Sequence, residues 1–349
     1  MKFLLSGGGT IGSVSPLIAI FEEIKRHDPN AEVLWLETKN GAEHKLIASY
    51  NIPTKSISSG KFRRYFSFKN FVDPFFVLLG FFQSLLIILK FKPDLILSAG
   101  GFISVPVAWA GWILRKPVII HQQDVRPGLA NKLMAPTAKL ITVTFKKSLT
   151  DFSAGKTKLI GNPIRADILT GSRERGYNFF QLDSARPTVL IIGGGTGAIT
   201  LNKIVSESLD GLMNFCQVIH LTGGKVIEAK KYSNYRSYDF LTDQLKNAYA
   251  VADLVVSRAG MSVLSELAIL GKPTIIIPIP NSHQQDNAVE FFKNNAALMI
   301  DESNLNARDF VAAIAEIIND KAQLSNLSDN IKKMMPVDAA KQIVEIIYQ

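Results

Sequence analysis

Two stretches decide the fold: Leu4-Leu5-Ser6-Gly7-Gly8-Gly9-Thr10-Ile11-Gly12 and Leu190-Ile191-Ile192-Gly193-Gly194-Gly195-Thr196-Gly197-Ala198. Each runs from a short apolar strand through a glycine loop into an amphipathic segment. Glycine at such a turn lets backbone N–H groups approach a ligand, and the helix N-terminus behind it favours an anion. One copy in each half of the chain implies two Rossmann-like domains in succession.

Working outward, apolar β-rich runs fall at 2–5, 33–36, 95–98, 118–121, 140–143, 188–192, 217–221, 254–257 and 274–278. Amphipathic stretches such as 16–26, 200–212 and 263–270 lie between them. This alternation predicts an α/β architecture with parallel sheets covered on both faces. A strand at 156–160 followed by Gly161-Asn162-Pro163 marks the expected boundary. The first domain is then 1–161 with the last helix, 338–349, returning to it, and the second is 162–337. The polar, weakly periodic stretch 172–186 reads as a connecting loop.

The chain has 349 residues, 47% of them hydrophobic, which excludes a disordered chain and suffices for two cores. The single cysteine, Cys216, excludes a disulfide scaffold or a zinc ribbon and fits a reducing compartment. The five histidines (His27, His44, His121, His220, His283) lack metal-ligand spacing, so no metal is expected. The N-terminus enters the first strand directly, without the apolar core of a signal peptide. The net charge of +9 is uneven. Residues 1–160 hold 21 Lys+Arg against 10 Asp+Glu, whereas 161–349 hold 18 against 20. The first half therefore calls for an anionic partner: nucleic acid, anionic lipid or a phosphorylated substrate.

Two more glycine loops follow strands, Ser98-Ala99-Gly100-Gly101-Phe102 and Thr222-Gly223-Gly224. None of the four has the Lys-Ser/Thr pair of a Walker A loop. The most informative stretch is Ser257-Arg258-Ala259-Gly260-Met261-Ser262-Val263-Leu264-Ser265-Glu266-Leu267. A strand ends, a glycine turn follows, and a helix opens with Glu266 one to two turns in. A helix N-terminus suits a diphosphate, and a carboxylate beside it can accept two ribose hydroxyl protons. Pro278 to Ala288 then places Asn281, His283, Gln284 and Gln285 after another strand, groups suited to sugar hydroxyls.

Lys61-Phe62-Arg63-Arg64-Tyr65-Phe66-Ser67-Phe68-Lys69-Asn70-Phe71 interleaves cations with aromatics, and eight of the 21 phenylalanines fall between Phe62 and Phe82. This describes a peripheral membrane site at Lys61, Phe62, Arg63, Arg64, Phe66, Lys69, Phe75 and Phe76. No nucleic-acid-binding module is recognisable, so no nucleic acid partner is expected. The apolar run 75–89 is shorter than the ~20 residues of a spanning helix and is expected as a buried or interfacial one.

These motifs resemble the MurG family of UDP-N-acetylglucosamine:lipid I N-acetylglucosaminyltransferases, inverting enzymes of the GT-B fold. The resemblance runs nearly end to end. It includes Gly8-Gly9-Thr10-Ile11-Gly12-Ser13 with Pro16, Gly100-Gly101-Phe102-Ile103-Ser104-Val105-Pro106, His121-Gln122-Gln123-Asp124 with Pro127-Gly128 and Asn131, and Gly161-Asn162-Pro163-Ile164-Arg165. It continues through Ala252-Asp253-Leu254-Val255-Val256-Ser257-Arg258-Ala259-Gly260 to His283-Gln284 and Asn287-Ala288.

The resemblance implies two Rossmann-like domains facing across a cleft, with UDP-N-acetylglucosamine mostly on the second. It puts Glu266 on the ribose and the backbone of Met261, Ser262 and Val263, with Leu264 and Ser265 behind, on the diphosphate. Thr196 would lie near the donor phosphates, Leu241 at the uracil, and Gln284 with His283 at the sugar hydroxyls. Arg165, Asp124 and the loop Thr10, Ile11 and Gly12 would touch the donor from the other side. Gly8, Gly9, Thr10, Gly12 and Ser13 would hold the acceptor diphosphate together with Gly100, Gly101 and Phe102. The implied acceptor is an undecaprenyl-linked muramoyl-peptide diphosphate. The implied setting is peripheral, on the cytoplasmic face of the bacterial membrane with its anionic leaflet, without a cofactor or metal.

Three motifs depart from the family pattern. Ser13 stands where the family has a histidine favoured as general base, and Ile11 replaces a glycine. Asp124 and Gln122 replace an asparagine and a glutamate, and Thr196-Gly197 lacks the family's glutamine. A serine is no base at neutral pH unaided, so the role passes to Asp124 or His121. The departures leave open a related enzyme on another lipid or polyprenyl acceptor, or a weakened UDP-sugar binder.

Overall fold

The computed structural model describes residues 1–9, 11–39, 41, 43–60, 69–194, 198–225 and 232–349, without the side chains of 11, 45 and 69–72. The chain divides into two compact units, Met1–Arg165 with Val337–Gln349, and Ala166–Pro336.

Unit 1 holds a seven-stranded parallel sheet of order β3-β2-β1-β4-β5-β6-β7. Its strands are β1 (Lys2–Ser6), β2 (Glu32–Thr38), β3 (Thr54–Ile57), β4 (Leu95–Ser98), β5 (Val118–Gln122), β6 (Leu140–Val143) and β7 (Thr157–Leu159). Its helices include α1 (Ser15–His27), α2 (His44–Ser49), α3 (Lys69–Phe91), α4 (Ser104–Ile113) and α5 (Leu129–Met134). β1 is flanked by both β2 and β4, with Phe3 opposite Val33 on one side and Leu95 on the other. Phe3, Leu4 and Leu5 are fully buried, which is why this strand reads as an unbroken apolar run rather than an alternating one. The strand order reverses at β1 and β4, and both glycine loops of this unit leave the C-terminal ends of those two strands, where open α/β sheets bind ligands.

Unit 2 repeats the plan with six parallel strands of order β10-β9-β8-β11-β12-β13. These are β8 (Thr188–Ile192), β9 (Gln217–Leu221), β10 (Tyr235–Tyr238), β11 (Leu254–Ser257), β12 (Thr274–Ile276) and β13 (Leu298–Met299). The helices include α6 (Arg173–Phe180), α7 (Ile199–Leu212), α8 (Leu245–Val251), α9 (Met261–Leu270), α10 (His283–Lys293), α11 (Ala307–Asn319) and α12 (Lys321–Lys332). The last helix, α13 (Ala339–Tyr348), packs on unit 1, where Ala339, Ile343 and Val344 join the core of Phe3, Leu17 and Ile24.

Two expectations need correction. Residues 172–186 are not simply a loop, because α6 occupies their first half. Ser172 caps it by accepting the Arg175 N–H at 3.3 Å, and Gln181 ends it at φ 51°. Gly176 hides the helix in the sequence, yet a Cβ there would lie 2.4 Å from Val251 and 2.7 Å from the Asn247 carbonyl. Close packing on α8 overrides poor propensity. The second correction concerns the apolar run at 75–89. The helix is longer than that run, and 73–91 forms a 19-residue segment of mean hydropathy 2.0, long and apolar enough to cross a bilayer by length and composition. It packs along α4 and is pinned to unit 1. The Ser58 N–H donates to Gln83 Oε1 at 2.7 Å, and a Cβ at Gly80 would lie 2.0 Å from the Ser58 carbonyl. A narrow face is thereby buried, while Phe75, Phe76, Leu78, Phe82, Leu86 and Leu89 stay exposed.

Candidate active site

In unit 2 the chemistry gathers at the C-terminal ends of β11 and β12. β11 ends at Ser257, and α9 begins at Met261 after Gly260 in extended conformation, with no side-chain cap on the helix. A Cβ on Gly260 would meet no atom of the described residues within 4 Å, so the backbone is uncrowded where α9 starts. Helix amides and dipole there favour an anion. Met261, Leu264 and Ser265 are buried, and Ser262 and Val263 are partly exposed. Ser265 turns inward, its hydroxyl donating to the Met261 carbonyl at 2.7 Å.

Glu266 lies in the second turn of α9, 4% exposed, and accepts the Tyr249 hydroxyl at 2.8 Å on Oε2. Tyr249 comes from α8. The two residues are distant in sequence and no motif links them, so sequence reading missed Tyr249. Arg258, at the end of β11, forms a buried ion pair with Glu302 and donates to the Ile277 carbonyl at 3.0 Å. It ties the α9 turn to the segment after β12. Asn287 of α10 donates to the Ala259 carbonyl at 3.1 Å, which brings the start of α10 beside that of α9. Ser282 caps α10, and Gln284 Oε1 accepts the Ile279 N–H at 3.2 Å. Gln284 is thus held in a capping arrangement, and His283 is exposed next to it. Leu241 is partly exposed in the turn before α8. Thr196 lies outside the described residues, as does Thr10.

In unit 1 the two glycine loops meet. A Cβ at Gly101 would lie 2.6 Å from the Gly8 carbonyl, and Gly9, Gly100 and Gly101 all have positive φ. Ser104 opens α4 and donates to the Ser6 carbonyl at 2.8 Å, joining the β1 and β4 turns. Ser13 is buried in the short turn Ile11–Ser13, and its hydroxyl donates to the Gly8 carbonyl at 3.3 Å. It braces the loop. Ile11 has no described side chain, and Gly12 sits in the same turn. Gln123 donates to the Ala99 carbonyl at 3.2 Å, and Gln122 donates to the carbonyls of Asp124 and Arg126 at 2.7 and 3.1 Å. The glutamines therefore shape the loop that carries Asp124 and hold it beside the β4 turn. Asp124 and Arg165 are both partly exposed.

His121 is fully committed to the interior. Asn162 Oδ1 lies 2.8 Å from Nε2 and must accept its proton, so Nδ1 accepts the Thr142 hydroxyl at 2.9 Å. Burial lowers its pKa to about 4 despite the Asn162 bond. Both nitrogens are occupied, so the ring has no lone pair to offer a substrate hydroxyl. This counts against the expected base role of His121 and makes it a positioning residue between β5, β6 and the Asn162 turn. His220 in unit 2 repeats the arrangement with Asn202 at 3.1 Å and Tyr235 at 2.9 Å, and burial lowers its pKa to about 4.

On the membrane-facing expectation, Phe75 and Phe76 are exposed on α3. Lys61, Phe62, Arg63, Arg64 and Phe66 lie outside the described residues, and the side chain of Lys69 does too. Among the described residues no cluster of three His, Cys, Asp or Glu could hold a metal ion.

Two Rossmann-like units, one with paired glycine loops and one with an open helix N-terminus beside a buried carboxylate, have the two-domain architecture of the GT-B class. The glycosyltransferase family 28 N-terminal domain matches residues 3–143 and the family 28 C-terminal domain matches 188–343. The chain belongs to glycosyltransferase family 28 and, within it, to the MurG family. It is 38% identical over 352 residues to the UDP-N-acetylglucosamine–N-acetylmuramyl-(pentapeptide) pyrophosphoryl-undecaprenol N-acetylglucosamine transferase of Clostridium perfringens (strain SM101 / Type A), covering 99% of this chain and 97% of that one. It is 35% identical to the enzyme of the same name from Legionella pneumophila (strain Paris), over 99% and 96%. The crystal structure of Acinetobacter baumannii MurG has a TM-score of 0.74 at 22% identity, covering 99% of each chain, and shares the fold.

Proposed function

We propose that this chain transfers N-acetylglucosamine from UDP-N-acetylglucosamine to the lipid-linked muramoyl-peptide diphosphate, lipid I, with inversion, forming lipid II for peptidoglycan synthesis. The observation that carries the reading is the 38% identity over 99% of the chain to a relative named for that transfer. The open α9 N-terminus and Glu266 support it from the structure.

In this reading unit 2 holds the donor. The amides of Met261, Ser262 and Val263 take the diphosphate, and Glu266 takes the ribose diol. Leu241 meets the uracil, while Gln284 and His283 face the sugar. Thr196 completes the donor contacts of this unit. The leaving diphosphate gains negative charge as the glycosidic bond breaks, and fixed amides and a helix dipole stabilise that charge without reorganisation. No metal or cofactor is needed for that step.

Unit 1 holds the acceptor. Backbone groups of Gly8, Gly9, Gly12, Ser13, Gly100, Gly101 and Phe102 grip its diphosphate. Asp124 removes the proton of the attacking hydroxyl, since Ser13 is no base and His121 is sealed inside. The exposed apolar face of α3, with the basic residues at 61–69, seats the protein peripherally on the anionic cytoplasmic face of the membrane.

The test is UDP release from UDP-N-acetylglucosamine in the presence of a short-chain lipid I analogue. Release dependent on the analogue supports the transfer. Donor binding by calorimetry with no release above background would overturn it and leave a UDP-sugar binder or a different acceptor.

A further inference from the structure

Unit 1 contains an apolar groove of about 1040 Å³ between α3, α4 and α5. Phe102 stands at one end and Trp112 at the other, with Phe81, Trp109, Leu129 and Leu133 along its walls. α4 runs the length between those ends, about 15 Å for its ten residues. Phe102 directly follows Gly100 and Gly101, so the groove opens where the glycine loops end. Asp73 is the only ionisable group among the described lining residues.

We propose that this groove holds the first isoprene units of a single prenyl chain whose diphosphate lies on the glycine loops. The inference rests on the proposed function and deepens it. A prenyl chain is bonded directly to the acceptor's diphosphate, so its first carbons must leave the loops within bond-length reach. In this fold the surface waiting there is apolar. Without it, each isoprene drawn out of the bilayer during catalysis would meet water, at a cost proportional to the apolar area exposed. The groove removes that cost and guides the chain toward the exposed apolar side chains of α3. A phospholipid fits this placement less well, because it brings two chains and no diphosphate to the loops.

The chain carries three tryptophans. Trp109 and Trp112 line the groove, while Trp35 is fully buried with its Nε1–H donated to the Gly7 carbonyl at 3.0 Å. Tryptophan fluorescence therefore reports occupancy without donor or turnover. Geranyl, farnesyl and geranylgeranyl diphosphates are titrated against inorganic diphosphate and dihexanoyl phosphatidylglycerol. The expected result is affinity that rises at least about tenfold per isoprene until the groove is full, with inorganic diphosphate weakest. The double variant Leu129→Ser/Leu133→Ser, at positions about 40% exposed and so tolerant of serine, should weaken farnesyl diphosphate at least tenfold and leave UDP binding unchanged. Trp109→Phe should keep the chain-length dependence at reduced signal. Equal affinity across the series, or indifference to the double variant, overturns the groove assignment. Phosphatidylglycerol binding as tightly as farnesyl diphosphate overturns it in favour of membrane lipid. Because UDP release is scored separately, a flat series in an active enzyme sinks the groove alone. A rising series in an inactive one keeps the groove and sinks the transfer.

Discussion

The Tyr249 hydroxyl donates to Glu266 Oε2 at 2.8 Å, so the carboxylate proposed for the ribose is aimed by a residue from the neighbouring helix. Glu266→Ala should weaken UDP binding by about 1–3 kcal/mol, the range for lost charge-assisted hydrogen bonds. Tyr249→Phe should weaken it less, since the carboxylate remains and only its orientation is loosened. Calorimetric titration with UDP checks both. Unchanged affinity in Glu266→Ala would take Glu266 out of the site.

Asp124 and Ser13 separate by kinetics. Asp124→Asn should lower kcat by about 10²–10⁴-fold with donor affinity kept, as expected for loss of a general base. Ser13→Ala removes the brace to the Gly8 carbonyl, and should change kcat by less than about tenfold while raising the acceptor KM. A larger kcat loss in Ser13→Ala than in Asp124→Asn would reverse the assignment.

The central strands were legible because burial on both faces writes an unbroken apolar run, as in β1, β4, β8 and β11. Three of the four edge strands were not. β3 is Thr54-Lys55-Ser56-Ile57 and β10 is Tyr235-Arg236-Ser237-Tyr238, half polar because one face meets solvent, and β13 has only two residues. Helix α6 was hidden by Gly176, whose reason is visible only in the packing on α8. At the site, the glycine turns and Glu266 stood out because their chemistry is local to a βα turn. Tyr249 and the Arg258–Glu302 pair did not, because tertiary packing joins them. His121 looked catalytic by residue type, and only its two interior hydrogen bonds reveal a different role.

Gly101 tests the contact between the two loops of unit 1. Its φ is 89°, and a Cβ would stand 2.6 Å from the Gly8 carbonyl, a backbone atom that cannot rotate away. Gly101→Ala should push the loops apart and raise the acceptor KM at least tenfold. UDP affinity, a property of the other unit, should stay within twofold. Equal losses in both measurements would mean general unfolding instead.

Membrane attachment divides into an apolar and a basic part. Phe75→Ser/Phe82→Ser removes two rings that are 64% and 54% exposed. It should reduce co-sedimentation with anionic vesicles at every salt concentration. Replacing Lys61, Arg63, Arg64 and Lys69 by serine should reduce it mainly at low salt, since exposed charges are screened over about 10 Å at 0.1 M. Equal sedimentation of both variants with wild type would remove this face from the membrane.

His121 and His220 set a pH limit on stability. Both have pKa values lowered to about 4 by burial, against about 6.5 in an unfolded chain. Between those values the unfolded state binds a proton at each ring that the folded state does not, so stability rises with pH. It is fully present above 6.5 and is lost as pH falls toward 4, on the order of 3 kcal/mol per ring. Paired carboxylates add loss of the same sign mainly below pH 5, which leaves pH 5–6.5 as the window in which the rings dominate. Urea unfolding across that window should show a falling midpoint, and His121→Asn or His220→Asn should each flatten the slope by about half. Imidazole resonances of these two rings should stay in the neutral form down to pH 5. Titration of either near 6.5 would show that the ring is not held as the Asn162 and Asn202 contacts require.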